Sequence, residues 1–364
     1  MKIVKVNLKK RSYSILIGSN LLKRSNDLIE PLGNIEKVMI ITNPIVFSLY
    51  SKEIEKTLRK KYKVTHSVVP DGERSKSLKC AKLLFDEMIK AKMERGSLIL
   101  AVGGGVIGDL AGFVASTYMR GIPYVQIPTT LLAQVDSSIG GKVAVNHPLG
   151  KNLIGAFYQP RLVIIDSDVL ETLPNREFRN GLAEIIKMAA IRDKKLFSLL
   201  ENNIISMPND RDPLDKAIYW SCFHKARVVE QDEKEGGLRA ILNYGHTIGH
   251  AIESIGKYHA MKHGEAVLIG MFLASEIAFQ EGICSKTVME RQQNLIDSIG
   301  LPRKKLRFPI NEIMKAMEID KKVKNGKIRF ILTKEIGSAI IRDNIPGKTV
   351  AFVLKKFFAK DLET

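Results

Sequence analysis

Short apolar runs alternate with amphipathic stretches through the first half of the chain. Ser97–Val102 is a continuous apolar run, as in strands covered on both faces, and Ser77–Lys92 has the apolar spacing of a helix. Further strands are predicted at Lys37–Thr42, Lys63–Val69, Tyr124–Ile127 and Leu162–Asp166, and further helices at Ile45–Tyr62 and Asp109–Tyr118. Strands separated by helices predict βαβ units and a parallel sheet, with a nucleotide or phosphate site at the carboxyl ends of the strands.

The pattern changes after Leu173–Pro174, where helical spacing takes over. Helices are predicted at Glu177–Ile191, Asp215–Glu230, Gly264–Glu281, Ser285–Ile299 and Val350–Ala359, and strands only at Ile328–Thr333 and Ala339–Ile341. The length of 364 residues suits two domains at ~150 residues each. We therefore predict a Rossmann-like α/β domain over residues 1–173 and a mostly α-helical domain over residues 174–364.

A glycine cluster follows the apolar run at Ser97–Val102. Gly103–Gly108 reads GGGVIG and matches G-x-G-x-x-G between a predicted strand and a predicted helix. Glycines let the backbone turn tightly and approach phosphate oxygens, and the N-terminus of the following helix offers free N–H groups. No acidic residue closes a next strand about twenty residues later, so this is not the ordinary dinucleotide fingerprint. A tight turn without a ligand is the alternative.

The stretch from Pro128 to Lys151 is unusually polar and glycine-rich. It contains Lys142 and Lys151, Asp136, adjacent hydroxyls and several glycines. Glycine beside lysine provides backbone donors together with a point charge, a combination that suits phosphate. The stretch therefore predicts a phosphate-binding segment, with a solvated loop as the alternative.

Histidines and one carboxylate in the second half suggest a metal site. His246 and His250 are four residues apart and share a helix face, with Glu253 on a similar face, while His263 precedes a long apolar helix. Glu184 lies in an apolar helix and needs a partner there. The pattern leaves open which two of the three histidines would bind a metal, and whether they only pack in the core. Nearby candidates for binding an anion are Lys225, Arg239 and Asn243.

Composition excludes several classes of protein. Lys and Arg number 57 against 39 Asp and Glu, a net charge of +18, but the charge is spread thinly and lacks the aromatic platforms of single-strand nucleic-acid binders. We expect no nucleic-acid partner. No apolar run approaches the ~20 residues that span a bilayer, so we expect no membrane association. Three widely spaced cysteines and an N-terminal strand pattern, unlike a signal peptide, favour the cytoplasm.

Six strings of the sequence resemble the 3-dehydroquinate synthase family, within the sugar phosphate cyclase group. They are spread from roughly Pro70 to Lys322 and are specific to that family: Gly103–Arg120, Pro128–Lys142, Gly150–Pro160, Gly181–Lys187, Asp232–His250 and His263–Glu265. Small departures are Val143, where threonine is usual, and Met188, where an aromatic residue is common. Neither position is an expected ligand.

The resemblance implies an NAD-binding α/β domain, a helical metal- and substrate-binding domain, an active site between them, and a homodimer. It implies NAD and a divalent metal, zinc or cobalt, as cofactors. Metal ligands would be Glu184, His246 and His263, which moves His250 to the substrate pocket. The implied NAD contacts are Glu73, Lys76, Gly104, Gly105, Asp109, Thr129, Thr130, Lys142, Lys151 and Thr172.

The implied reaction is that of a carbon–oxygen lyase acting on a phosphorylated sugar acid, 3-deoxy-D-arabino-heptulosonate 7-phosphate. By resemblance, Arg120 reaches the neighbouring subunit's site and one of Lys321 and Lys322 closes over the substrate. The implied substrate contacts are Asp136, Lys142, Asn152, Lys187, Lys225, Arg239, Asn243 and His250. Rival readings are a cyclase whose substrate lacks a carboxylate, a metal-dependent alcohol dehydrogenase, and a basic nucleic-acid-binding or regulatory protein without activity.

Overall fold

The strands predicted in the first half join one seven-stranded sheet in the computed structural model, which describes residues 1–256, 261–301, 309–319 and 328–359. The strand order is β1-β2-β9-β6-β5-β3-β4, and every neighbouring pair is parallel except β1 with β2. The strands are β1 (Lys2–Val6), β2 (Tyr13–Gly18), β3 (Lys37–Thr42), β4 (Lys63–Val68), β5 (Leu98–Gly103), β6 (Tyr124–Pro128) and β9 (Leu162–Asp166). The predicted parallel sheet is confirmed.

The described chain divides into two compact units. The first comprises Met1–Phe178 with Lys225–Lys234, and the second comprises Arg179–His224 with the residues from Glu235 onward. The predicted boundary fell at residues 173 and 174 and assigned residues 225–234 to the second domain. Lys321 and Lys322 lie outside the described residues.

Apolar runs explain the sheet of the first unit. All six residues of β5 are buried, as expected for a parallel strand with both faces covered. The chain enters β3, crosses to β4 on one side and then returns to β5 on the other side of β3. This reversal is the point where ligands bind in open α/β sheets. The helices of this unit are α1 (Ser25–Ile29), α2 (Pro44–Val46), α3 (Lys52–Leu58), α4 (Leu78–Lys90) and α5 (Gly105–Thr117).

A two-stranded antiparallel hairpin follows the sheet strand β6. It consists of β7 (Lys142–His147) and β8 (Gly150–Phe157), within and beyond the polar stretch singled out in the sequence, and no strand was predicted there. Val143 and Val145 are buried. A Cβ on Gly112 of α5 would lie 2.3 Å from Val143 Cγ1, so a glycine is needed for helix and hairpin to pack this closely. Lys142, Lys151 and Asn152 therefore lie on a hairpin that packs against α5.

The second unit is mostly helical, as predicted. The helix α10 (His263–Gln280) is buried along nearly its whole length and is apolar on most faces, which marks a central core helix. Among the described helices, none is both long and apolar enough to cross a membrane. The remaining elements are α6 (Asn175–Arg192), α7 (Lys194–Asn203), α8 (Arg211–Gln231), α9 (His246–Ile255), α10 (His263–Gln280), α11 (Lys286–Ser298), α12 (Ile310–Ile319), α13 (Gly347–Ala359), β10 (Phe330–Glu335) and β11 (Ser338–Arg342). Of α8, residues 225–231 belong to the first unit.

Candidate functional site

The glycine turn connects β5 directly to α5, as the sequence predicted. Gly104 precedes the first helical residue, so the N-terminal N–H groups of a 13-residue helix open at the turn. An added Cβ would lie 3.1 Å from Thr130 Cγ2 at Gly104, and 3.0 Å from Ser137 Oγ at Gly105. The turn therefore packs against the segment after β6, where the predicted cofactor residues Thr129 and Thr130 lie.

A buried lysine links a predicted cofactor residue to a predicted substrate residue. Lys76, only 6% exposed, places its Nζ 2.5 Å from Asp109 Oδ2 and 2.5 Å from Asn152 Oδ1. Burial raises the pKa of Asp109, and the charge of Lys76 opposes that rise. The structure thus brings the first turn of α5 and the hairpin together around one ammonium group.

Asn146 extends this cluster and was missed by the sequence analysis. Its side-chain Nδ2 donates to Glu73 Oε1 at 2.7 Å, its Oδ1 accepts from the backbone N–H of Asn152 at 3.0 Å, and its own N–H donates to the carbonyl of Lys76 at 2.8 Å. Asn152 has a φ of +56°, a conformation that asparagine tolerates better than most residues. The signal available in the sequence was that the amide residue Asn146 lies between Lys142 and Lys151, in the segment predicted to bind phosphate.

Two predicted substrate residues also meet in the first unit. Lys225 Nζ donates to the carboxylate of Asp136 at 2.6 Å and to its backbone carbonyl at 2.7 Å. Lys225 is 5% exposed, whereas Lys142 at the start of β7 is exposed. The ammonium of Lys225 is therefore held in a fixed position.

Two further predicted residues lie apart from these clusters. The hydroxyl of Thr172 contacts the hydroxyl of Tyr50, which donates to the carbonyl of Val169. Arg120 is exposed after α5 and has a φ of +66°; its neighbours Met119 and Gly121 also have positive φ angles. Consecutive left-handed residues are costly and concentrate at functional segments. The structure brings neither Thr172 nor Arg120 into the contacts described above.

In the second unit, Glu184 is a buried carboxylate in an otherwise apolar helix. Glu184 and Lys187 lie one turn apart on α6, each 2% exposed, and their charged groups form an ion pair. Both oxygens of Glu184 are buried, and apart from the pairing with Lys187 they have no hydrogen bond of regular geometry among the described residues. A buried charge in this state requires further cationic partners or a metal ion.

Two histidine nitrogens face this carboxylate. The Nε2 atoms of His246 and His263 lie 3.8 Å and 3.6 Å from Glu184 Oε1. The candidate ligand atoms of the three residues all lie within 4.8 Å of one another. Two imidazoles and one carboxylate are a common ligand set for a catalytic zinc ion, with a fourth position left for substrate. The residues present therefore fit a divalent metal.

The electrostatics agree with this fit. Burial by itself would raise the pKa of Glu184, but the ammonium of Lys187 and the neighbouring His263 outweigh burial and lower the pKa to about 2. Burial would lower the pKa of His263, whereas Glu184 and Glu253 raise it to about 10. The carboxylate is thus ionised at neutral pH and strongly favours positive charge beside it.

Glycines allow the three helices that carry these residues to pack closely. A Cβ on Gly264 would lie 2.3 Å from the carbonyl of Asn180, whose side-chain Oδ1 accepts from the Gly264 N–H at 2.5 Å. A Cβ on Gly270 would lie 1.8 Å from the carbonyl of Gly245, which itself has a φ of +79°. Close packing of α10 on the start of α6 and on the turn before α9 brings Glu184, His246 and His263 together.

The other predicted substrate residues of the second unit are Arg239, Asn243 and His250. Arg239 is buried, and Asn243 Nδ2 donates to Glu235 Oε1 at 3.2 Å. The His250 ring centroid is 5.1 Å from that of His246 and 6.1 Å from that of His263. A second candidate group for a metal consists of His250, Glu253 and His263. The two candidate groups share His263.

Solved structures with the same fold define the class. A 2-epi-5-epi-valiolone synthase from Streptomyces hygroscopicus, solved with NAD+ and Zn2+ bound, superimposes with a TM-score of 0.88 at 28% identity, covering 98% of this chain and 99% of that one. A 2-deoxy-scyllo-inosose synthase complexed with carbaglucose-6-phosphate, NAD+ and Co2+ has a TM-score of 0.87 at 26% identity, covering 98% and 100%. The chain has the dehydroquinate synthase-like fold of the sugar phosphate cyclases.

Sequence comparison identifies the family within that class. The family model of the N-terminal part of 3-dehydroquinate synthase matches residues 66–180, and that of the C-terminal part matches residues 181–323. The 3-dehydroquinate synthase of Crocosphaera subtropica is 46% identical over 360 residues, which cover 97% of this chain and 98% of that protein. The chain belongs to the 3-dehydroquinate synthase family, as the resemblance predicted.

Proposed function

We propose that the chain is an enzyme that converts 3-deoxy-D-arabino-heptulosonate 7-phosphate into 3-dehydroquinate and phosphate. This is a carbon–oxygen lyase reaction and the second step of the shikimate pathway toward aromatic amino acids. Family membership over nearly the whole chain supports it. The observation that carries the chemistry is the buried Glu184, whose carboxylate faces two histidine nitrogens.

The proposed cofactors are NAD and a divalent metal, zinc or cobalt. When bound, NAD supplies a reversible hydride acceptor that leaves no net oxidation, and the metal supplies a Lewis acid for a ring hydroxyl. Glu184, His246 and His263 would hold the metal. The glycine turn, with the N–H groups of α5, would hold NAD phosphates. The other proposed NAD contacts are Glu73, Lys76, Asp109, Thr129, Thr130, Lys142, Lys151 and Thr172.

The charged side chains suit a substrate with a phosphate at one end and a carboxylate at the other. We assign the phosphate to Lys142, Asn152 and Lys187, since ammonium and amide donors bind phosphate oxygens. We assign the carboxylate to Lys225, Arg239 and Asn243. Lys225 is held by two acceptors of Asp136, so its ammonium is oriented before substrate binds. Asp136, His246 and His250 would serve the ring hydroxyls and the proton transfers.

Assembly and compartment are part of the same proposal. We propose a homodimer in which the exposed, left-handed Arg120 reaches the partner subunit's site. We also propose a cytoplasmic enzyme. All three cysteines lie in the described part of the chain, and each is a buried thiol rather than half of a disulfide, which suits a reducing compartment.

The decisive experiment measures phosphate release from the heptulosonate phosphate with catalytic amounts of NAD, before and after metal chelation. Release that stops on chelation, resumes with Zn2+ or Co2+, and leaves no net NADH supports the proposal. Accumulation of NADH would indicate a dehydrogenase instead. A folded, metal-loaded protein that releases no phosphate would reject this substrate in favour of another phosphorylated sugar.

A further inference from the structure

Glu253 contacts one of the two histidines from the side away from Glu184. It lies near the C-terminal end of α9, and its side chain is 11% exposed. Its Oε2 is 3.2 Å from Nδ1 of His263, whereas Nε2 of the same ring faces Glu184 Oε1 at 3.6 Å. His263 therefore lies between two carboxylates, each of which faces a different ring nitrogen.

His246 has an equivalent arrangement that uses the backbone. Its Nδ1 is 3.0 Å from the carbonyl oxygen of Tyr244, and its Nε2 faces Glu184. A carbonyl can only accept a hydrogen bond, so Nδ1 of His246 carries the proton and Nε2 has the lone pair that binds a metal. Glu253 imposes the same tautomer on His263 with a side chain, which can be changed by substitution.

The burial of the two candidate groups decides which of them holds the ion. Glu184 is buried and faces the Nε2 atoms of both His246 and His263, whereas Glu253 is partly exposed and already opposite Nδ1 of His263. The nitrogen of His263 that would join His250 and Glu253 is therefore the one engaged by Glu253. The group of Glu184, His246 and His263 is favoured, and Glu253 lies outside it.

We propose that Glu253 is a positioning residue that accepts the Nδ1–H of His263 and so directs its Nε2 toward the metal. Such outer partners of ligating histidines fix the tautomer and the ring orientation and increase the basicity of the ligand. The proposal rests on the metal site put forward above. It assigns Glu253 no contact with metal or substrate.

The test compares zinc affinity, measured by competition with a chromogenic chelator, for the wild-type protein and for Glu253→Ala, Glu253→Gln and a control, Glu290→Ala. The control removes a half-exposed carboxylate on α11. Removing an outer partner lowers metal affinity by about 10–100-fold. We expect such a loss for Glu253→Ala and none for the control. Glu253→Gln should lose less, because its amide oxygen still accepts the Nδ1–H. Circular dichroism of the metal-free proteins establishes that each variant is folded.

Visible absorption of the Co2+-loaded proteins separates a positioning role from ligation. If Glu253 acts from outside, the Glu253→Gln protein keeps the wild-type cobalt bands while binding more weakly. Altered band positions and intensities would make Glu253 a ligand and overturn the proposal. Unchanged zinc affinity in Glu253→Ala, beside a wild-type protein that binds zinc, would also overturn it. A wild-type protein that binds neither metal would instead reject the metal site itself.

Discussion

Each unit contains a buried carboxylate beside a buried lysine, and their pKa values move in opposite directions. Burial raises the pKa of Asp109 in the first unit; the ammonium of Lys76 opposes this rise, and Glu73 and Asp136 add to it. Burial acts the same way on Glu184, but Lys187 and His263 lower its pKa to about 2. The other charges around each pair differ in sign as well: they are acidic near Asp109 and cationic near Glu184.

The surroundings of a buried lysine–carboxylate pair indicate which kind of ligand the pair helps to bind. Around Asp109 the ammonium of Lys76 also donates to Asn152, so the cluster is a closed network. Around Glu184, Lys187 pairs with one carboxylate oxygen, and two imidazole nitrogens face the other at 3.6–3.8 Å. The first arrangement positions donors for an anionic ligand, whereas the second presents one carboxylate and two imidazole nitrogens as ligands for a cation.

The largest effect should follow Glu184→Gln. The variant loses the only negative ligand of the proposed metal site and leaves Lys187 without its counter-charge. We expect less than one tenth of the wild-type bound zinc and a fall in phosphate release of more than about 100-fold, beyond the range for outer partners of a ligand. Metal content by atomic spectroscopy and the phosphate assay test this, with Glu290→Gln as the control. Full metal content and activity would remove Glu184 from the site.

Gly270→Ala tests whether helix packing holds the second cluster together. The new Cβ would lie 1.8 Å from the Gly245 carbonyl, so α9 and α10 must separate. We expect a loss of about 3 kcal/mol in the free energy of unfolding, measured in urea. Gly347→Ala is the matched control, since its Cβ would meet only the flexible end of Met314 at 3.8 Å. Equal stability of the two variants would contradict the close contact.

Lys76→Met tests the first cluster. The change leaves Asp109 buried without its ammonium partner, which should cost about 3 kcal/mol of unfolding free energy at pH 7. Without the ammonium the pKa of Asp109 lies still further above its ordinary value of 3.8. A raised pKa stabilises the folded state as pH falls, so the deficit should shrink between pH 7 and pH 5. A deficit independent of pH would mean that Asp109 does not titrate.

Lys356→Gln should have the smallest effect. It tests a third buried carboxylate, Glu276, for comparison with Asp109 and Glu184. Burial raises the pKa of Glu276, but hydrogen bonds from Lys356, Gln280 and Gln293 outweigh it and lower the pKa below 4.5. A depressed pKa stabilises the fold above pH 4.5, and this contribution is lost as pH falls through the folded-state pKa. We expect a loss of about 1 kcal/mol at pH 7 that fades below pH 4. An equal loss at both pH values would exclude the ion pair as its cause.

Local patterns in the sequence determined most of the architecture. Lys37–Thr42 and Leu162–Asp166 are strands with the predicted bounds, and the glycine turn at Gly103–Gly105 connects strand to helix as expected. Such features depend on side-chain periodicity and on the backbone freedom of glycine, both of which are visible in a short window. The polar stretch was predicted as a phosphate-binding segment, but its hairpin was not, because strand pairing depends on a partner elsewhere in the chain.

Only the tertiary structure decided which side chains meet. The sequence pattern left open which two of His246, His250 and His263 would bind a metal, and only the family resemblance selected His246 and His263. The structure brings His246 and His263 to Glu184 because Gly264 and Gly270 let three helices pack at backbone contact distance. Asn146 and Glu253 acquire their roles in the same way, through contacts between residues on different elements. Composition and periodicity contain no information on distances between residues of different elements, because these distances are fixed only when the chain folds and its core packs.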